Sequence, residues 1–197
     1  MSQLLMRWIP EELPEPELPE GFAFHRFRRG GDEVFTEDEF RKQWICMRDA
    51  SFGETMVKWY HTVYDDPRVP DDGFFLVIAP DRRMASSACV QYGEHTPDSA
   101  TVHAVCTDEK YRGMGLGRAN MIALMRHVHE KGFPELWLTT DDWRIPAVRL
   151  YLRLGFLPVL SEPDMRGRWL ALLDKTGERK IRVIGEDGQE DFLVKNE

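Results

Sequence analysis

The sequence has little cysteine: Cys46, Cys89 and Cys106 are the only three in 197 residues. They show no C-x-x-C spacing and no matching histidine pattern, so neither a disulfide framework nor a structural zinc site is expected, and the thiols are read as reduced and mostly structural. Long apolar runs are also missing. None approaches the roughly 18 residues needed to cross a bilayer, and no membrane partner is expected. The N-terminus turns acidic and proline-rich within ten residues where a secretory signal would be basic and then apolar, which gives a cytoplasmic expectation. Positive charge is in short supply. Lys and Arg number 26 against 34 Asp and Glu, a formal net charge of −8, which disfavours a nucleic-acid partner and favours small cationic molecules. No internal repeat is present. The remaining composition, 42% hydrophobic and 30% charged, is ordinary for a globular chain of one-domain length.

The most informative stretch is TVHAVCTDEKYRGMGLGR, Thr101 to Arg118. Thr101, His103 and Val105 alternate with Val102, Ala104 and Cys106, the period of a strand whose two faces are used differently. Gly113, Gly115 and Gly117 then stand at alternate positions before a run without Gly or Pro that continues to Lys131. That run predicts a helix from propensity and from its stop at Gly132, its apolar pattern being diffuse. Glycines before a helix let backbone N–H groups converge on an anion at the positive end of the helix dipole. A phosphate or pyrophosphate is the expected ligand. The dinucleotide pattern G-x-G-x-x-G does not fit, because Arg118 fills a required glycine position, and no Lys-Ser or Lys-Thr follows to make a Walker loop.

Arg112-Gly113-Met114-Gly115-Leu116-Gly117 resembles the acyl-CoA-binding signature [QR]-x-x-G-x-[GA] of the GNAT superfamily of N-acetyltransferases. A second segment, from Ala147 through Leu150-Tyr151 to Gly155-Phe156, is similar to the A-x-x-L-Y-x-x-x-G-F element of the same superfamily. The resemblance covers about 21–173. It implies an α/β fold of mixed α+β type: a mixed twisted sheet with a splayed central V, flanked by helices.

The element order agrees. Residues 1–20, with four prolines among glutamates, read as an extended leader. A strand over 21–27, a helix from Thr36 to about Asp49 and another from Glu54 to Tyr64 follow, with Gly53 between them. Strands are predicted at Phe74–Ile78 and Met84–Tyr92, joined by a turn at Pro80-Asp81-Arg82-Arg83. After the Thr101 strand and its helix come a strand at Leu136–Thr140, a helix beginning near Pro146, and strands at Leu157–Leu160 and Trp169–Leu173. Residues 174–197 read as a separate hairpin about a turn from Gly185 to Gly188.

The resemblance also implies the chemistry, direct transfer of an acetyl group from acetyl-CoA to an amine, with no metal; the acidic charge makes a small primary amine the expected acceptor. Backbone amides of Gly113, Met114, Gly115, Leu116, Gly117 and Arg118 would hold the pyrophosphate. Arg112 and Arg118 would add charge, and Val105, Cys106 and Thr107 would line the pantetheine and offer an amide to the thioester oxygen. Tyr151 matches the tyrosine that protonates the leaving thiolate. The pattern departs at Arg144, where the family usually has asparagine, so this first turn is expected to meet the cofactor differently. Candidates for the base are His103, Glu94 and Asp98, histidine ordinarily titrating near ~6.5. Cys106 raises a covalent acyl-cysteine route. Glu94, Asp98, Asp141 and Asp142 are expected to make a negative mouth for a cationic acceptor, with Trp143 beside it. A non-catalytic acyl-CoA-binding sensor or scaffold and a nucleotide-binding protein are the other readings, and a homodimer is admitted as an assembly.

Overall fold

A computed structural model of the chain describes residues 2–52, 56–185 and 187–194. The Gly53 break and the Glu54 helix start fall outside these. The chain divides into two compact units, one of residues 11–134 and one of residues 1–10 with 135–197. Among the described residues no helix is long and apolar enough to cross a membrane.

The first strand of the chain, β1 (Leu4–Trp8), belongs to the smaller unit. The larger unit holds β2 (Ala23–Phe27), the helices α1 (Glu37–Phe52) and α2 (Met56–Tyr64), the strands β3 (Phe74–Ile78), β4 (Met84–Tyr92) and β5 (Ala100–Thr107), and α3 (Leu116–Glu130). β2 to β5 form an antiparallel meander in chain order. β3 reads FFLVI without alternation because both its faces are covered. Phe74, Leu76 and Ile78 enter a core with Phe27, Phe40, Trp44, Tyr60 and Tyr64. On the other side Val77 packs with Tyr111 and Leu116, and the Phe75 ring lies 5.3 Å from His127 of α3. The start of α1 is fixed by reciprocal bonds: Glu39 N–H donates to Thr36 Oγ1 at 3.3 Å, and Thr36 N–H donates to Glu39 Oε2 at 2.9 Å. This is a capping box, which satisfies two otherwise orphaned donors.

In the smaller unit β1 lies between β6 (Leu136–Thr140) and β7 (Leu157–Pro158), antiparallel to both. The expected leader is therefore a strand over its first residues. Leu4, Met6 and Trp8 are fully buried while Leu5 and Arg7 are not, and the four prolines of residues 1–20 lie beyond Trp8, so β1 itself keeps all its donors. α4 (Ile145–Arg153) has Pro146 in its first turn. The strand expected at Trp169–Leu173 is instead the middle of α5 (Met165–Thr176). Met165, Trp169, Leu172, Leu173 and Thr176 are buried while Leu170 is exposed, which is a helical stripe. The helix ends at Gly177, φ 79°, and Arg149 covers its last carbonyls, donating to Lys175 O at 2.7 Å and Thr176 O at 3.1 Å. β8 (Lys180–Ile184) and β9 (Glu190–Val194) form the expected hairpin. Within it Gly185 N–H donates to Gln189 O at 2.7 Å.

Candidate acyl-CoA loop and catalytic residues

The glycine-rich turn lies in the larger unit. Gly113 and Gly115 have φ of 80° and 79°, a conformation that side chains with a Cβ disfavour, and a Cβ at either would meet no atom within 4 Å. Gly117 is different. Its φ is unremarkable, but a Cβ there would sit 3.0 Å from Thr107 Oγ1, so glycine keeps the helix start close to the end of β5. The first backbone bond of α3 runs from Ala119 N–H to Gly115 O. The N–H groups of Leu116, Gly117 and Arg118 therefore have no partner within the helix, and they carry the positive end of its dipole. Met114 and Arg118 are exposed, Leu116 is buried, and Arg112 bonds Glu109 Oε1 at 3.1 Å and Thr107 O at 3.4 Å.

β5 leads into this turn through a feature that alternation does not reveal. Ser87 pairs with Cys106 and Cys89 with His103, so Ala104 and Val105 together oppose Ala88. Ala104 takes φ 59°, unusual for alanine. This is a β-bulge, which leaves an extra residue outside the ladder. Two serine hydroxyls take up carbonyls on either side of it, Ser87 Oγ donating to Ala104 O at 3.2 Å and Ser86 Oγ to Cys106 O at 2.9 Å. Val105 and Thr107 are half-buried beside it. Cys106 points inward, 6% exposed, with Sγ 3.5 Å from Met47 O. A thiol held in that core is badly placed as a nucleophile, which removes the structural basis of the acyl-cysteine route.

The base candidates resolve into a pair and an outlier. His103 Nε2 and Glu94 Oε2 lie 2.9 Å apart. The bond from His103 holds the Glu94 carboxyl at about 2, against the opposing effect of burial. An acid that strong is a poor proton acceptor near neutrality, which argues against Glu94 as the base. Asp98 is an exposed loop residue.

Tyr151, on α4, belongs to the smaller unit, buried to 6% exposure with its ring 5.9 Å from Phe156. Arg144 caps the same helix, its Nε 3.0 Å from Asp141 Oδ2 and its guanidinium 4.7 Å from the Trp143 ring. Asp142 is bound by Arg168, which pulls its carboxyl below the usual range. Three acids of the expected mouth have partners of their own, Glu94 with His103, Asp141 with Arg144 and Asp142 with Arg168, and the two arginines cancel most of the field of Asp141 and Asp142. The alternation of the sequence gives no sign of the bulge or of the serines that bond its carbonyls. Two adjacent serines in a largely apolar strand, Ser86-Ser87, are the available signal.

The sequence profile of the Acetyltransferase (GNAT) family matches residues 33–156. The chain belongs to the GNAT acetyltransferase family. It is 33% identical over 165 residues to a mycothiol acetyltransferase of Nocardiopsis dassonvillei, covering 76% of this chain and 48% of that one. With the mycothiol acetyltransferase of Thermobispora bispora the identity is 29% over 161 residues, covering 77% and 52%. This GNAT chain therefore spans about half the length of the curated relatives it matches. Among solved structures, the GCN5-related N-acetyltransferase of Sphaerobacter thermophilus superposes with a TM-score of 0.56 at 22% identity, covering 79% of this chain and 47% of that one. That likeness shows the fold, the mixed α/β arrangement of the superfamily.

Proposed function

We propose that the protein is an acetyl-CoA-dependent N-acetyltransferase acting on a small primary amine, carried by residues 21–173 together with β1. The observation that supports this best is the turn itself: two left-handed glycines with open space at their Cβ positions, followed by helix N–H groups without an intrahelical partner and preceded by a bulged strand. A pyrophosphate fits that cradle, and Arg112 and Arg118 add positive charge beside it. Acetyl-CoA, when bound, supplies the activated thioester. The backbone at Val105, displaced from the ladder by the bulge, offers a donor where negative charge develops on the carbonyl oxygen. His103, oriented by Glu94, accepts the proton of the attacking amine, and Tyr151 gives its hydroxyl proton to the departing sulfur. The match of Tyr151 to the A-x-x-L-Y element supports its role. The relatives' name makes the acceptor of mycothiol acetyltransferases the first to try among the amines.

Gly115→Asp tests the site, with Gly115→Asn as its control. Both side chains enter open space at the same positive φ, and asparagine and aspartate tolerate that conformation alike. Only aspartate brings a negative charge to the phosphate position. We expect Asn to weaken acetyl-CoA binding modestly and Asp to abolish it in titration calorimetry. Equal, parent-like affinity in both folded variants would exclude the loop as the site. Binding without turnover across an amine panel would turn the reading to the sensor.

A further inference from the structure

We propose that Asp81, in the turn between β3 and β4, is a positioning residue that fixes the start of the acyl-CoA loop through Tyr111. The inference rests on the functional reading above.

Asp81 is 31 residues from Arg112 in sequence, yet its carboxylate collects the residues that immediately precede the loop. Tyr111 Oη donates to it at 2.9 and 3.0 Å, and Lys110 Nζ lies 2.8 Å from Oδ2. Asp81 is itself held by its turn, where Ala79 N–H donates to Arg83 O at 2.9 Å and Arg83 N–H reaches Asp81 Oδ1 at 3.3 Å. These bonds, Lys110's first and Tyr111's second, bring the carboxyl down to about 2, so it is charged at every pH at which an enzyme would be assayed.

The tether matters because of what it leaves between anchors. Tyr111 is 7% exposed, packed with Val77, Ala79, Ala85 and Leu116, with Phe22 edge-on at 5.6 Å. Leu116, the first residue of α3, is 1% exposed in that same cluster. Residues 112–115 therefore bridge two buried side chains that touch one apolar cluster. One end is fixed by packing and the helix; the other also depends on the hydroxyl of Tyr111. Asp108 adds a brace, accepting from Lys110 N–H at 2.9 Å while its own N–H donates to Ala85 O at 2.9 Å. A loop that binds through backbone N–H groups has no side chain with which to adjust, so small displacements of its frame weaken binding steeply.

The test compares two acetyl donors, acetyl-CoA and S-acetylpantetheine, which has the thioester arm without pyrophosphate. Asp81→Ala should weaken acetyl-CoA about tenfold in Kd and KM while leaving kcat/KM with S-acetylpantetheine at the parent value. Releasing Lys110 would by itself favour phosphate, so a loss of affinity runs against simple charge. Tyr111→Phe keeps the Asp81–Lys110 pair and should show the same donor-selective loss, and the double variant should be no worse than Asp81→Ala. If Asp81→Ala does not fold, Tyr111→Phe and Asp81→Asn carry the comparison. Equal losses with both donors, or no loss with either, would overturn the positioning role. A parent protein that binds acetyl-CoA no better than S-acetylpantetheine would overturn the loop reading itself, and the inference with it.

Discussion

Replacing Glu94 by glutamine keeps the size of the side chain and removes the charge that faces His103. The folded protein lowers this carboxyl from the ordinary 4.5 to about 2, chiefly through the bond from His103. That lowering corresponds to at most about 3 kcal/mol of preference for the charged form. The carboxylate remains 31% exposed, and screening reduces the realised contribution to about 1 kcal/mol. The sign follows from linkage. A carboxyl depressed in the folded state stabilises it above the unfolded value, near 4.5, and this stability disappears as pH falls from there toward 2. Thermal melts should therefore place Glu94→Gln about 2–4 °C below the parent at pH 7, with the gap narrowing steadily below pH ~4.5. In turnover, the variant should lose about tenfold in kcat, less than the 10²-fold or more expected of His103→Ala, because it misorients the base without removing it. A melting gap that is the same at pH 7 and pH 3 would show that the charge was not the cause. Parent-like kcat in Glu94→Gln would remove Glu94 from the orientation of His103.

Tyr151→Phe should lower kcat by about 10²-fold with little change in KM for acetyl-CoA, since the hydroxyl acts on the leaving sulfur; unchanged turnover in steady-state assays would end that assignment. Asp142→Asn should cost about 1 kcal/mol or less at pH 7, read by denaturant melts, because it breaks an ion pair with Arg168 that solvent partly screens. Its carboxyl is depressed in the folded state, so this cost should fade as pH falls below the ordinary range. The variant should keep the parent's amine preference and salt slope. A shift in either would return Asp142 to acceptor selection.

The parts of the fold that could be read from the sequence are those in which one local signal suffices. The capping box at Thr36 and Glu39, the apolar run at Phe74–Ile78 and the punctuation by Gly132 and Pro146 each state their own structure within a few residues. The two errors share a different cause. In LLMRW only Arg7 interrupts the apolar residues and a proline-rich stretch follows at once, so the alternating burial of Leu4, Met6 and Trp8 shows only in the fold. WLALL is a short apolar run with no period of its own, and the helix appears only when Met165 and Thr176 extend the stripe by a turn on each side.

The site divides along the same line. The turn has to be written in glycine, because Gly113 and Gly115 occupy angles that other residues resist, and so its conformation is legible. Its neighbours are not. The bulge depends on which residue of β4 faces which residue of β5, and the contacts of Asp81 with Lys110 and Tyr111 join positions about thirty apart. The expected negative mouth fails for a related reason. A net charge of −8 counts ions without their partners, whereas Asp141 and Asp142 each face an arginine that cancels most of the field they would project. If a cationic amine is selected by electrostatics here, the selecting charge has to be one without a nearby cation. Glu94 meets that condition only while His103 is neutral, which is also the form in which the imidazole can accept the proton of the amine.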